Sequence, residues 1–223
     1  SGGIVRRITI APELPGAVEF IRKVKTENVS VSLGHSAASF EETEAAFEAG
    51  AVSATHLFNA MLPLEHHQPG IIGASFATDL YCEAICDGRH LHPGTVRMIY
   101  RAKNVERLLG ITDSIAAAGL GDGLYKLGAM EVVVKGPDAK LLSSGTRAGS
   151  ILTICQGVKN LMDFVGLPVE TAVRCYSETP AKMMGIFHQK GSIDVGKDAD
   201  LVLLDKDFQV RTTFSCGVPI YQA

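Results

Sequence analysis

Two kinds of hydrophobic pattern take turns along the first half of the chain. Short apolar runs read as strands, and between them apolar residues recur every third or fourth position, as on one face of a helix. The run Val5 to Ala11 predicts a strand that Pro12 and Pro15 break, and Leu14, Ala17, Val18, Ile21 and Val24 follow at helical spacing. Val29 to Leu33 alternates Val, Ser, Val, Ser, Leu and predicts a strand ending at Gly34-His35. Ser39 and Glu42 form a capping-box pattern for a helix through Ala45, Ala46 and Phe47, which Gly50 stops. Another short strand ends at Thr55-His56, and Tyr81 to Cys86 is the next, with Val96, Ile99 and Tyr100 marking the helix behind it. Leu108 to Ile111 is a fifth strand, ending at Asp113.

Repeated strand-then-helix units define an α/β chain with a parallel sheet, closed as a barrel or open and doubly wound. Histidines and an aspartate stand at the ends of several different strands. That placement favours a (β/α)8 barrel of the TIM type, which carries its chemistry at the carboxyl ends of its strands. About five strand-helix units are visible, so the barrel is expected to be partial.

Past Asp113 the pattern changes. Ala116 to Gly123 is a Gly-rich loop, and Tyr125 to Val134 predicts a hairpin arm. Ile151, Ile154, Val158, Leu161 and Val165 make one helical face ended by Gly166. Thr179-Pro180 predicts the N-cap and first position of a shorter helix closed by Gly185. From Gly191 the tail, with Ile193, Val195 and Leu201 to Leu204, reads as β-rich around a turn at Gly196-Lys197-Asp198. The expected division is the barrel over 1–188 and part of a small β-sandwich domain over 189–223.

Composition narrows the partners. The 223 residues are 46% hydrophobic, enough for one large core, and the formal charge of −3 argues against nucleic acid or an anionic membrane surface. No uninterrupted apolar run reaches about 18 residues, so no membrane span is expected. Ser1 to Arg7 also lacks the apolar stretch of a secretory signal. The cysteines Cys82, Cys86, Cys155, Cys175 and Cys216 are odd in number, scattered and free of Cys-x-x-Cys, and read as reduced core thiols of a cytoplasmic protein.

The chemistry rests on few residues. His35 and His56 are 21 positions apart, too far for one helix to present both, but neighbouring strand ends bring them together. Imidazoles are common zinc ligands, and Asp113 beside such a site has the chemistry of a general base and acid. His90 lies on the following loop, in reach of a substrate hydroxyl or phosphoryl group. Each also has a plainer reading: a strand-end histidine serves as a structural residue, and Thr112-Asp113-Ser114 is a common cap sequence. His92 before Pro93 reads as the lead into a helix, His66-His67 as a solvated turn, and His188 as a surface residue.

In their order and spacing, several segments resemble the N-acetylglucosamine-6-phosphate deacetylases of the amidohydrolase superfamily. They are Gly34-His35-Ser36, Thr55-His56-Leu57-Phe58-Asn59-Ala60-Met61, Pro69-Gly70, Asp87-Gly88-Arg89-His90 and Thr112-Asp113-Ser114. Thr9-Ile10-Ala11-Pro12-Glu13 and Gly191 to Val202 add to the likeness, which covers nearly the whole chain. The run from Thr55 to Met61 is highly specific, whereas Gly196 to Val202 is a pattern common to amidohydrolases. The resemblance implies metal-dependent hydrolysis of the acetamide of N-acetylglucosamine 6-phosphate to glucosamine 6-phosphate and acetate. It implies one divalent ion, zinc first and iron, cobalt or manganese after it, on His35 and His56, with Asp113 as general base and acid. Asn59, Ala60 and His90 are its implied substrate contacts, with the backbone of Arg147-Ala148-Gly149.

Three departures stand out. His67 occupies the place of an arginine that grips the phosphate, and an imidazole lacks that fixed, always-charged fork. Arg147 replaces a small apolar residue, either as a substitute cation or as a solvated loop arginine. The remaining family ligand, a glutamate in a His-Leu-Glu-Gly-Pro-like stretch, precedes the point that matches Ser1, and no Glu-Gly-Pro occurs here. The chain is therefore expected to be a C-terminal part, to hold metal weakly and show little or no activity by itself, and to self-associate as a homodimer or larger to cover open sheet edges. Two rival expectations remain: an amidohydrolase acting on a different amide, of the dihydroorotase or aminoacylase kind, and an inert self-associating fragment.

Overall fold

Strands and helices alternate through the first half of the computed structural model, which describes residues 2–223. The strands β1 (Arg7–Ile10), β2 (Ser30–Leu33), β3 (Ser53–Ala54), β4 (Tyr81–Ile85) and β5 (Leu108–Ile111) form one sheet in that order. All four pairings are parallel. Between them run α1 (Ala17–Lys25), α2 (Phe40–Ala49), α3 (Gly70–Ala77) and α4 (Pro93–Arg107). The expected capping box is present, with Ser39 accepting from the Glu42 N–H and Glu42 accepting from the Ser39 N–H.

β2 explains its own alternation. Val31 and Leu33 join the core with Ile21, Ala46, Ile71, Ile72, Val96 and Ile99, each buried Val, Leu or Ile side chain contributing about 1.5–3 kcal/mol. Ser32 is fully buried as well, on the inner face of the sheet. There its hydroxyl meets Ser53 Oγ at 2.9 Å and Thr55 Oγ1 at 2.5 Å. The strand is covered on both sides, one apolar and one hydrogen-bonded.

After β5 the chain leaves the sheet. β6 (Gly123–Leu127), β7 (Met130–Lys135) and β8 (Asp138–Leu141) make an antiparallel meander. Its own small core is Ala117, Val132, Val134, Ala139 and Ala148. The helices α5 (Ile154–Val165), α6 (Val169–Arg174) and α7 (Glu178–Met183) follow, so the helix belonging to β5 arrives only after the meander. Last come β9 (Leu201–Leu204), β10 (Val210–Ser215) and β11 (Val218–Gln222), a separate antiparallel sheet. A five-stranded parallel sheet with a separate antiparallel one is a partial TIM-type barrel plus part of a sandwich.

Several expectations need correction. The arm after Asp113 is three strands, because Asp138–Leu141 pairs with β7 beyond the expected hairpin. α7 begins at Glu178, and Thr179 does not cap it. The Thr179 hydroxyl is buried and donates to the Val105 carbonyl at 2.6 Å, tying α7 to the segment before β5. The tail becomes strand only at Leu201, while Ile193 and Val195 stand fully exposed in a loop. α3 carries no sequence signature of a surface helix: Ile71, Ile72, Ala74 and Ser75 are all buried, so no polar stripe marks it. Three cysteines are core thiols, and burial pushes Cys82, Cys86 and Cys175 up to about 12. Cys155 is half-buried and Cys216 is exposed, so neither belongs to the core. Among the described residues no helix is long and apolar enough to cross a membrane.

Candidate active site

Because the five strands are parallel, their carboxyl ends lie along one edge, and the candidate residues follow directly. Glu13 comes after β1, His35 after β2, His56 after β3, Asp87 and His90 after β4, and Asp113 after β5. His35, His56, Ala60 and Asp113 have φ of 49°, 32°, 50° and 50°. Such left-handed backbone outside glycine costs on the order of 1 kcal/mol or more and concentrates at functional sites. Gly34 makes the first of these turns fit, since a Cβ there would lie 2.8 Å from Thr55 Cβ.

The two imidazoles meet. His35 Nε2 and His56 Nε2 are 2.9 Å apart, with ring centroids at 4.6 Å and planes 71° apart. His35 is exposed at the rim and His56 is 6% exposed. From below, Glu83 on β4 fixes the His56 turn: its Oε2 accepts the His56 N–H at 3.4 Å and its carbonyl accepts the Leu57 N–H at 2.8 Å. The buried Glu83 carboxylate is paired in turn with Arg7, whose guanidinium also donates to Ser53 Oγ at 2.8 Å.

This pair fits a divalent metal. Two imidazole nitrogens on one tetrahedral zinc sit about 3.3 Å apart, close to the 2.9 Å separation of the two Nε2 atoms. A divalent ion would take both lone pairs, whereas two imidazoles alone satisfy each other with a single proton. His56 Nδ1 is buried with no hydrogen-bond partner among the described residues. No group of three or more His, Cys, Asp or Glu that could hold a metal occurs among the described residues, so the fit is to two positions of the ion. Asp113 is not part of a ligand group with the histidines.

Asp113 is exposed two strands from His56, about 10 Å across the sheet by strand spacing. The 147–150 loop packs beside it. Ser150 donates its N–H to the Asp113 carbonyl at 2.8 Å and its hydroxyl to the Thr112 carbonyl. Ala148 is buried and hydrogen-bonded to Ala139, placing Gly149 against the aspartate.

His90 has one face fixed. Its Nδ1 lies 2.6 Å from Asp87 Oδ2, and Asp87 Oδ1 accepts the Arg89 and His90 N–H groups at 2.8 and 2.7 Å. Burial pushes the Asp87 carboxyl up, but these donors outweigh it and hold the group below the usual carboxylate range. An ionised carboxylate only accepts, so Nδ1 carries the proton and Nε2 is left for a ligand. A cavity of about 410 Å³ opens beside Asp87 and Arg89, lined also by Leu152 and Asn160. A larger one of about 510 Å³, between the C-terminal halves of α2 and α4, contains none of the candidate residues.

The other candidates are placed less directly. Asn59 turns its amide inward, donating to the His56 and Leu57 carbonyls at 3.1 and 3.3 Å, which locks the His56 loop. Ala60 is exposed beside it. His67 is exposed ahead of α3 with its ring 4.0 Å from that of His66. Arg147 Nε donates to Asp138 Oδ1 at 3.1 Å, and Arg89 shares that carboxylate at 3.5 Å. Sequence reasoning assigned no role to Asp87, Glu83 or Ser36. Asp87 had a signal in the Asp87-Gly88-Arg89-His90 turn, whereas Glu83 lies in an ordinary-looking strand.

A parallel sheet whose carboxyl edge gathers two imidazoles and an aspartate is the architecture of metal-dependent barrel hydrolases, and the chain belongs to the amidohydrolase family, whose model matches residues 1–220. Within it the chain is similar to N-acetylglucosamine-6-phosphate deacetylases. The chain is 42% identical to N-acetylglucosamine-6-phosphate deacetylase of Bacillus subtilis, over 97% of this chain and 55% of that protein. The deacetylase structure from Thermotoga maritima superposes with a TM-score of 0.92 at 36% identity, covering 98% of this chain and 60% of that one. A Mycobacterium smegmatis deacetylase, an aspartate-to-alanine mutant in complex with N-acetyl-D-glucosamine 6-phosphate, gives 0.93 at 36% identity, covering 98% and 58%. The chain spans about half the length of the curated relatives it matches.

Proposed function

We propose that this chain carries the imidazole pair, the general base and substrate contacts of an enzyme that hydrolyses the acetamide of N-acetylglucosamine 6-phosphate. The observation that carries the reading is the 2.9 Å approach of His35 and His56 Nε2 at the edge where Asp113 also lies. His35 and His56 hold the divalent ion, with zinc proposed because two imidazoles suit it. When bound, the ion supplies Lewis acidity to the acetamide carbonyl and to the attacking water. Asp113 takes the proton of that water at its carboxylate and returns it to the sugar nitrogen as the C–N bond breaks, releasing acetate and glucosamine 6-phosphate.

The remaining residues orient the sugar. His90 presents Nε2 to a substrate oxygen, its ring held by Asp87. Asn59 and Ala60, with the backbone at Arg147, Ala148 and Gly149, frame the sugar, and His67 serves the phosphate. Dimers or larger assemblies belong to the same proposal, because β1 and β5 are the outer strands of the sheet. A cytoplasmic compartment is supported by five free cysteines.

The test is an acetate-release assay with Asp113→Asn in a metal-loaded, full-length version of the enzyme. The expected result is a turnover loss of about 100-fold or more with zinc affinity nearly unchanged. Turnover at the ordinary rate removes Asp113 from the mechanism, and preference for a cyclic amide over the acetylated sugar phosphate replaces the substrate class.

A further inference from the structure

We propose that Glu13 is a positioning residue for the metal pair, clamping the loop that carries His35 to the loop that carries His56; this rests on the reading of those two histidines as metal ligands. Glu13 sits past β1, one strand away from His35. Its Oε2 accepts the Ser36 hydroxyl at 2.6 Å and its Oε1 accepts the Ala37 N–H at 2.7 Å. Ser36 is 4% exposed and fully used: its Oγ also accepts the Ala38 N–H at 3.0 Å. Its backbone N–H donates to the Ala60 carbonyl at 3.0 Å, and Ser36 bridges in parallel to Met61. One carboxylate therefore anchors Ser36, and Ser36 ties the turn at His35 to the turn that holds His56, Asn59 and Ala60.

The backbone needs such an anchor. His35 and Ala60, on the two sides of the clamp, both have left-handed φ, a conformation that persists where its surroundings fix it. Among the described residues no lysine or arginine pairs with Glu13, so the carboxylate is held by a hydroxyl and an amide. Burial pushes its carboxyl up, and the Ser36 and Ala37 hydrogen bonds outweigh that and lower it. Outer contacts that orient metal ligands cost roughly 10–100-fold in affinity when lost; Glu13 touches neither imidazole ring and acts one step further out, through the backbone of the His35 turn.

The experiment measures zinc affinity by chelator competition on the chain and its Glu13→Ala, Glu13→Gln and Ser36→Ala variants, with amide exchange at Ser36 and Ala37 read alongside. Glu13→Ala should weaken zinc by at least about tenfold and speed exchange at Ala37. Glu13→Gln keeps the acceptor for Ala37 and should stay within about fivefold. Equal zinc affinity in Glu13→Ala overturns the proposal, even with faster exchange, because the clamp would then be merely structural. If Glu13→Ala does not fold, Ser36→Ala decides: several-fold weaker zinc supports the clamp and unchanged affinity overturns it. Absence of zinc binding in the unsubstituted chain defeats the metal reading instead, and the clamp is then judged on exchange alone, unchanged Ala37 exchange in Glu13→Ala (or Ser36→Ala) overturning it.

Discussion

The Asp113 carbonyl accepts the Ser150 N–H at 2.8 Å, so the proposed base and the 147–150 loop form one piece of the rim. Gly149 lies between them with φ of 64°, and a Cβ there would come within 2.8 Å of both the Asp113 carbonyl oxygen and Ile115 Cγ2. Gly149→Ala is therefore expected to push the aspartate away. A shift of about 1 Å is worth roughly 100-fold in turnover, and the strained backbone costs about 1–3 kcal/mol of stability. Acetate release and urea unfolding on the same variant check both.

Acid should remove a specific contact on α7. Arg174 Nε and Nη2 reach the two Glu178 oxygens at 2.7 and 3.1 Å, and Lys182 Nζ lies at 2.6 Å. The Arg174 and Lys182 hydrogen bonds lower Glu178 from 4.5 to about 2. A folded value below the unfolded one means the support is complete above about 4.5 and is lost as pH falls toward about 2. Glu178→Gln should cost about 1 kcal/mol at neutral pH. Urea unfolding near pH 3 should show that gap shrunk by more than half.

His67 offers a gain rather than a loss. It is exposed against His66, and an imidazole cannot form the bidentate fork of a guanidinium. His67→Arg should lower KM for the phosphorylated sugar by about tenfold. The KM for unphosphorylated N-acetylglucosamine should not move. Equal effects on both substrates would place His67 outside the phosphate site.

How much of this was legible in the chain follows from its physics. The apolar runs closed by Gly34-His35, Thr55-His56 and Thr112-Asp113 located three strand ends, because a buried parallel strand must end where the polar residues begin. The capping box at Ser39 and Glu42 was readable for the same local reason. α3 was not, since its eight residues are all apolar or small, with no polar stripe to mark an amphipathic period. Thr179 misled because its hydroxyl is used across the fold on Val105 instead of along its own helix. The meander's third strand was hidden in Asp138–Leu141, where a charged, mixed tetrapeptide earns its place by pairing with β7. Glu83 and Glu13 act through contacts to residues far along the chain, which no local pattern announces.

The approach of His35 to His56 is the relationship on which the functional reading stands, and zinc titration of the chain with His35→Ala and His56→Ala variants tests it most directly. The account predicts one ion per chain, with each substitution weakening binding by about 100-fold or more and the double variant binding more weakly than either single. Retention of the same affinity by both single variants would contradict it.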